Sequence, residues 1–435
     1  MTNGNHSKQK RKRGKQKRIL SFFKDKIFYG WVVIGAGLLI AVISLGTRSS
    51  FGVFFKSIES EFNLTRGATS GIFSVSMLLC CIVSILGGWA SDRYGPKIVT
   101  FMMGSFLGIS LILTSQSNST WQLLITYGLL LSLGTGGIFP VLNSTASRWF
   151  HKKRGIALGI TTSGTALGVI VIPPFATYFI SHFDWRTAFL VLGVVAWLVI
   201  APLSLLLKRD PSDVGLLPDG EASEAAQDRV HNKENKPQLT DFSLSQAFRA
   251  SQFWFLGFVW FFMALNTYLI FVHVVPYAVD TGISPMDAAV ILSLVGGVSI
   301  LGRIGVGKIS DMIGRRAPAI ACALLQAGAM LWLMCSRDLW MLYTFGIVYG
   351  FMWGGFNLVT TALIGDIFGM HSIGLIMGVI NVGWALGAAA GPVMGGLLFD
   401  ITGNYFLAFA TGIGAVLTAT LFVALIRREI KVKTH

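Results

Sequence analysis

The chain has 435 residues, of which 53% are hydrophobic and only 13% charged, and its formal net charge is +15. Soluble domains carry about 25% charged residues, so this composition excludes an ordinary soluble domain and points to a bilayer protein. The basic surplus does not indicate nucleic acid, because ten of the 35 Lys and Arg crowd between Lys8 and Lys26, ahead of the first apolar run. Such a tail reads as a topology anchor near anionic lipid.

In chain order, residues 1–27 form this basic cytoplasmic tail, and twelve apolar runs of about 20 residues follow, the length a helix needs to cross a bilayer. They begin near Gly30, Ala68, Ile98, Trp121, Gly155, Thr187, Gln252, Asp287, Ala317, Leu339, Ser372 and Tyr405. Residues 28–207 hold six of them and 251–428 the other six. The polar stretch 208–250 between them lacks the apolar content for a core and reads as a cytoplasmic linker. A short cytoplasmic tail, 429–435, closes the chain. With loops assigned alternately to two sides, 29 Lys and Arg fall on the side of the N-terminus and four on the other (Lys56, Arg66, Arg186, Arg337). Arg48 and Arg303 lie inside spans. The positive-inside rule then places both termini in the cytoplasm. No secretory signal precedes the first span. The four cysteines (Cys80, Cys81, Cys322, Cys335) have neither metal-ligand nor disulfide-framework spacing and read as small core residues.

One pattern recurs after 219 positions. Gly88, Ser91, Asp92, Gly95 and Lys97 align with Gly307, Ser310, Asp311, Gly314 and Arg316, each set at a turn between spans. At the same offset, Gly159, Gly164, 166–168 and Pro173 of the fifth span match Gly378, Gly383, 385–387 and Pro392 of the eleventh. The expected fold is an all-α membrane protein with 12 transmembrane helices arranged as two pseudo-symmetric six-helix bundles. Transporters hold their cargo between such repeats at mid-membrane.

These paired turns resemble the signature loops of the major facilitator superfamily, over essentially residues 28–428. Within it, Tyr29-Gly30-Trp31-Val32-Val33 and Ser50-Phe51-Gly52-Val53-Phe54-Phe55 are similar to the first span of monocarboxylate transporters. The stretch Trp149–Gly159 is similar to that family's second signature. Arg209-Asp210-Pro211 and His273-Val274-Val275-Pro276-Tyr277 resemble the bacterial oxalate:formate antiporter branch. The resemblance implies alternating access, a small organic anion as cargo, and symport or antiport.

Arg303 is the sharpest candidate. It lies eight residues up the eighth span from Asp311, about 12 Å into a core about 30 Å thick. An arginine facing lipid there costs about 2.5–3.5 kcal/mol or more, so it should face a cavity and a partner. A guanidinium grips a carboxylate through two parallel hydrogen bonds. The alternative is a structural ion pair, although no acid stands clearly within a span. Monocarboxylate and oxalate carriers place a functional arginine here, which the resemblance carries to Arg303. The departures count as well: Ser299 stands where animal monocarboxylate transporters have an aspartate, and Ser49 where they have a lysine. The second cation of oxalate carriers has no match between Ser372 and Phe399. Proton coupling through an Asp–Lys switch is therefore unsupported.

Arg48, 18 residues beyond Gly30, is expected at the outer mouth, either snorkelling to the interface or meeting cargo. His273 either exchanges a proton or hydrogen-bonds in the outer vestibule. Asn266, Tyr268, Asn143, Asn357 and Asn381 either line the cavity or join helices. Asp92 and Asp311, with Arg93, Arg315 and Arg316 nearby, are expected to latch the cytoplasmic side shut, or merely to satisfy charged turns.

The expectation is a plasma-membrane carrier, monomeric, for a small organic anion such as lactate or pyruvate, with protons as a candidate co-substrate and no cofactor. Two alternatives stand. A proton-driven drug or lipopeptide exporter is expected to carry Gly-Pro where the fifth span has Gly164-Thr165. A non-transporting membrane sensor would append a signalling domain, for which the linker is too short and polar. Nucleophile–base sets, nucleotide loops and metal clusters that would mark an enzyme are not apparent.

Overall fold

The computed structural model describes residues 28–150, 153–217, 219, 244–369 and 373–426. Within them the chain folds into twelve apolar helical spans. Spans 1–6 are Tyr29–Glu61, Arg66–Tyr94, Pro96–Ser115, Thr120–Trp149, Arg154–His182 and Trp185–Ser204. Spans 7–12 are Ser251–Asp280, Pro285–Ile313, Arg316–Cys335, Leu339–Phe368, Ile376–Thr402 and Phe406–Leu425. All twelve starts fall within four residues of the apolar runs. The ends do not: eight of the spans reach 27 residues or more, well past the 20 that cross the hydrocarbon. The excess carries charged residues at one end of the bundle, among them Lys56, Glu59, Arg66, Asp280 and Asp400.

The turns after spans 2 and 8 reveal why the repeat keeps its second glycine. Gly95 and Gly314 have φ of 84° and 89°, a left-handed backbone that disfavours any residue with a Cβ. These turns stand at one end of the bundle, here termed the basic face, with Arg148, Arg154, Arg315 and Arg316. The other end is the opposite face.

The halves meet along two seams related by the repeat, span 5 with span 8 and span 11 with span 2. In the first, Ser293 Oγ donates to the Ile170 carbonyl at 2.9 Å, and a Cβ on Gly296 would press the Ala166 carbonyl at 3.0 Å. Inside each half, spans 1 and 5 and spans 7 and 11 pack at glycines. A Cβ on Gly46 would meet the Gly168 Cα at 2.7 Å, and one on Gly383 the Gly257 carbonyl at 2.8 Å. Lipid offers no hydrophobic drive for helix association, so such close approaches carry the cohesion. Span 1 is continuous apart from a turn at Ser50, after which Phe51–Glu61 carries it to the opposite face. Span 4 contains a π-helical stretch, Leu124–Leu130, of the kind that often marks functional regions.

Candidate functional site

The two halves are parted at the basic face and joined at the opposite face. Between them, from the basic face, opens a cavity of about 1080 Å³. Asn143, Arg148, Leu158 and Thr162 line it from the first half, and Leu358, Thr361 and Met377 from the second. Pro211, Ser212 and Leu216, just beyond span 6, form part of its mouth.

At the opposite face, ion pairs and hydrogen bonds cross between halves. Asp280 at the end of span 7 pairs with Lys56 of span 1 and with Arg66 Nη1 of span 2, the latter at 2.7 Å. Arg66 Nη1 also donates to the Tyr405 hydroxyl at 2.7 Å, and the guanidinium lies 3.7 Å above the Phe399 ring. The Asp400 carboxylate accepts the Arg66 and Gly67 backbone amides at 2.9 and 2.8 Å, capping span 2 from span 11. A carboxylate at a helix N-terminus is favoured by the peptide dipoles. Sequence reasoning missed this lock because the 20-residue window left these side chains in loops. Charges placed two to three turns past an apolar run were the available signal.

Arg303 stands in the depth of the molecule. Antiparallel packing of residues 166–170 on residues 293–297 puts Arg303 level with Thr162, at the inner end of the cavity. The chain from Arg303 to the span's end at Ile313 is about 15 Å of helix. The residue is half-buried. Among the described residues it has no ion-pair or hydrogen-bond partner, and none of its nitrogens is sealed from open space. The structural-pair alternative thus finds no acid here.

Arg48 departs from expectation. Span 1 continues thirteen residues past it to Glu61, so Arg48 is interior and does not reach the outer mouth. Its guanidinium faces Cys80, Tyr127 and, across the gap between halves, Tyr268. Its Nε is sealed with no partner. Spans 1 and 5 run parallel with Gly37 near Thr161 and Gly46 at Gly168, which puts Arg48 level with residues 170–171. The two arginines are therefore separated by about 13 Å along the bundle axis.

The remaining candidates divide. Tyr268 bridges the halves, its ring 5.8 Å from Phe73 and 6.1 Å from Trp384. Asn143 lines the cavity with its Oδ1 unpartnered. Ser49 is buried on span 1 beside Arg48. Asn381 is exposed. Three others join helices or bond to their own. Asn266 donates to the Tyr349 hydroxyl at 3.0 Å inside the second half. Asn357 donates to its own Trp353 carbonyl. Ser299 donates to its own Gly296 carbonyl at 2.6 Å, fully buried in the seam with span 10. His273 is also fully buried, within the opposite-face lock, with Phe55, Ser70, Tyr405 and Pro392 around it.

Of the signature turns, the second pairs as expected, Asp311 with Arg315, whereas the first takes a different partner. Asp92 binds Arg148 at 2.5 Å, while Arg93 lies over the Trp89 and Tyr94 rings. A base next in sequence points elsewhere around the helix, whereas span 4 brings Arg148 alongside. Asp311 pairs with Arg315 at 2.6 Å, and Arg315 reaches Asp366. Arg316 donates to the Ala424 carbonyl. Each contact stays within one half and is intact with the basic face open.

Two six-span halves around a cavity that opens at the basic face define a membrane transporter. The chain belongs to the major facilitator superfamily, whose family model matches residues 37–335 and 306–435. It is 25% identical to monocarboxylate transporter 12 of Xenopus laevis over 88% of this chain and 85% of that one. It is likewise 25% identical to human monocarboxylate transporter 2, over 87% and 81%. Among solved structures, a bacterial homolog to the human lysosomal transporter Spinster, inward-facing and unoccupied, superposes with TM-score 0.69 at 18% identity, covering 91% of this chain and 95% of that one. Its occupied form gives 0.70 at 17% identity. At that identity the likeness speaks for the fold alone.

Proposed function

We propose that this transporter moves a small monocarboxylate, such as lactate or pyruvate, across the plasma membrane by alternating access. The observation that carries the reading is Arg303: a cation deep in a membrane bundle, without an acid, level with the inner end of an open cavity. Such a charge is tolerated where it meets water or a counter-ion, and a carboxylate matches the guanidinium fork. The names of the curated relatives support the same cargo class.

The basic face is the cytoplasmic one by the positive-inside bias, which makes the present conformation inward-open with both termini inside. The protein works as a monomer, with 208–250 as a linker between bundles. Arg48 serves as a second cationic station nearer the outside, with Tyr268 closing over it, and Asn143 and Tyr268 add polar contacts. The turn pairs Asp92–Arg148 and Asp311–Arg315 brace each bundle as it rocks.

The test is uptake of a carboxylate panel into proteoliposomes, with and without a pH gradient and with and without internal cargo. Saturable lactate or pyruvate uptake is expected. Acceleration by an acid outside identifies proton symport, and acceleration by internal cargo identifies exchange. Failure of every carboxylate, with a drug panel transported instead, would overturn the proposal.

A further inference from the structure

His273 belongs to neither the cavity nor the arginine pair, yet it is fully buried and hydrogen-bonded through both ring nitrogens. The partners determine its tautomer. Nε2 lies 2.8 Å from the Pro392 carbonyl, which can only accept. Nε2 is also 3.3 Å from Ser70 Oγ, whose own proton goes to the Arg66 carbonyl at 2.7 Å. Nε2 therefore carries the hydrogen, and Nδ1 is left to accept from the Tyr405 hydroxyl at 3.2 Å. The Tyr405 oxygen in turn accepts from Arg66 Nη1. A directed chain thus runs from Arg66 through Tyr405 and His273 to Pro392, and each link has one donor and one acceptor only while the imidazole is neutral.

A second proton on Nδ1 turns that acceptor into a donor aimed at a hydroxyl that is itself donating. The Tyr405 proton loses its acceptor in a dry site, which is costly. The new cation also falls beside Arg66. The other charges facing the ring do not neutralise it. From span 1, Lys56 and Glu59 bind Asp280 and Arg66 respectively. On span 7, Asp280 is shared by Lys56 and Arg66, and Tyr277 sends its hydroxyl to the Leu333 and Ser336 carbonyls. On span 11, Asp400 is engaged by two amides of span 2.

Separation of the halves at this face would remove Ser70 and Arg66 from the ring and admit water, while Pro392 and Tyr405 stay with it in the second half. We propose that His273 is a proton-binding site that governs the opposite-face gate, which closes over the neutral ring and opens when the ring takes up a proton. The proposal rests on alternating access between the bundles and not on the cargo.

The test reads the gate directly. Spin labels at Ser60→Cys and Asn404→Cys, both exposed and on opposite halves, report the gap in nanodiscs. The background carries Cys81→Ala and Cys335→Ser, since Cys80 and Cys322 are buried. Between pH 8 and 5 the long-distance population should grow, by no more than about tenfold per pH unit for one proton. His273→Gln, whose amide can donate to Pro392 and accept from Tyr405 without titrating, should stay closed throughout. Tyr405→Phe, which removes the donor to Nδ1, should open at higher pH than the parent. A parent indifferent to pH, or a His273→Gln gate that opens like the parent, overturns the proposal. If His273→Gln does not fold, an unchanged opening midpoint in Tyr405→Phe overturns it. Uptake is not read, so a failed cargo assignment leaves this result independent.

Discussion

Arg303 and Arg48 are two half-buried cations inside the bundle with different surroundings. Arg303 has no ion-pair or hydrogen-bond partner among the described residues and no sealed nitrogen, whereas Arg48 has Cys80, Tyr127 and Tyr268 as electrostatic neighbours and one nitrogen sealed. If Arg303 holds the carboxylate, Arg303→Lys loses the bidentate grip but keeps the charge. Uptake should fall at least about tenfold, the loss of roughly one charge-assisted hydrogen bond, at unchanged surface expression. Undiminished uptake would remove Arg303 from the site. Arg303 was legible in the sequence because a guanidinium in a span is an anomaly wherever it points. Ser299 and Asn266 were not, since a short polar side chain in a span is compatible with cavity, seam or its own helix. Only packing separates these, and it places Ser299 and Asn266 between helices.

At the scale of elements, glycines alike in sequence are unlike in duty. In spans 5 and 11, Gly168 and Gly387 sit against neighbouring backbone, as do Gly164 and Gly383, while Gly159 and Gly378 meet nothing within 4 Å. The free pair lies toward the basic face, where the halves have parted. Gly168→Ala should destabilise by about 1–3 kcal/mol through overpacking against span 1, read as a lower melting temperature in detergent. Gly159→Leu should leave the melting temperature near that of the parent. Filling the cavity wall there should instead stop the basic face from closing, so that cargo binding survives and turnover does not. Normal turnover in Gly159→Leu would show that this surface never closes. A smaller device is the cap of span 6: Asp184 accepts the Thr187 amide at 2.5 Å, and that bond holds its carboxyl below the usual carboxylate range. A depressed acid stabilises the folded state at neutral pH and loses that contribution as acid protonates it. Asp184→Ala should cost about 1 kcal/mol of stability at pH 7.

Across the whole molecule, the conformation is decided by which face carries contacts between halves. The opposite face has the Lys56–Asp280–Arg66 cluster and the Asp400 cap; at the basic face the paired charges stay within their own halves. Asp280→Asn should weaken the first and shift the population toward opening at that face, visible as a longer Ser60–Asn404 label distance at pH 8. No change would mean that Asp400 and the seams suffice.

Twelve spans, their pairing into two repeats and the depth of Arg303 followed from the sequence by itself, because hydropathy and a 219-residue offset are properties of residue order. Bilayer physics adds that apolar runs must be helices and that a charge among them must face inward. Tertiary structure alone decided the rest. Helices run past the hydrocarbon without any signal in hydropathy, and so Arg66, Asp280, Asp400 and Tyr405 meet at one face although up to 339 residues apart. The rotation of a helix about its axis, set by neighbours rather than by its own sequence, placed Arg48 inside, paired Asp92 with Arg148 and buried His273 among the opposite-face contacts.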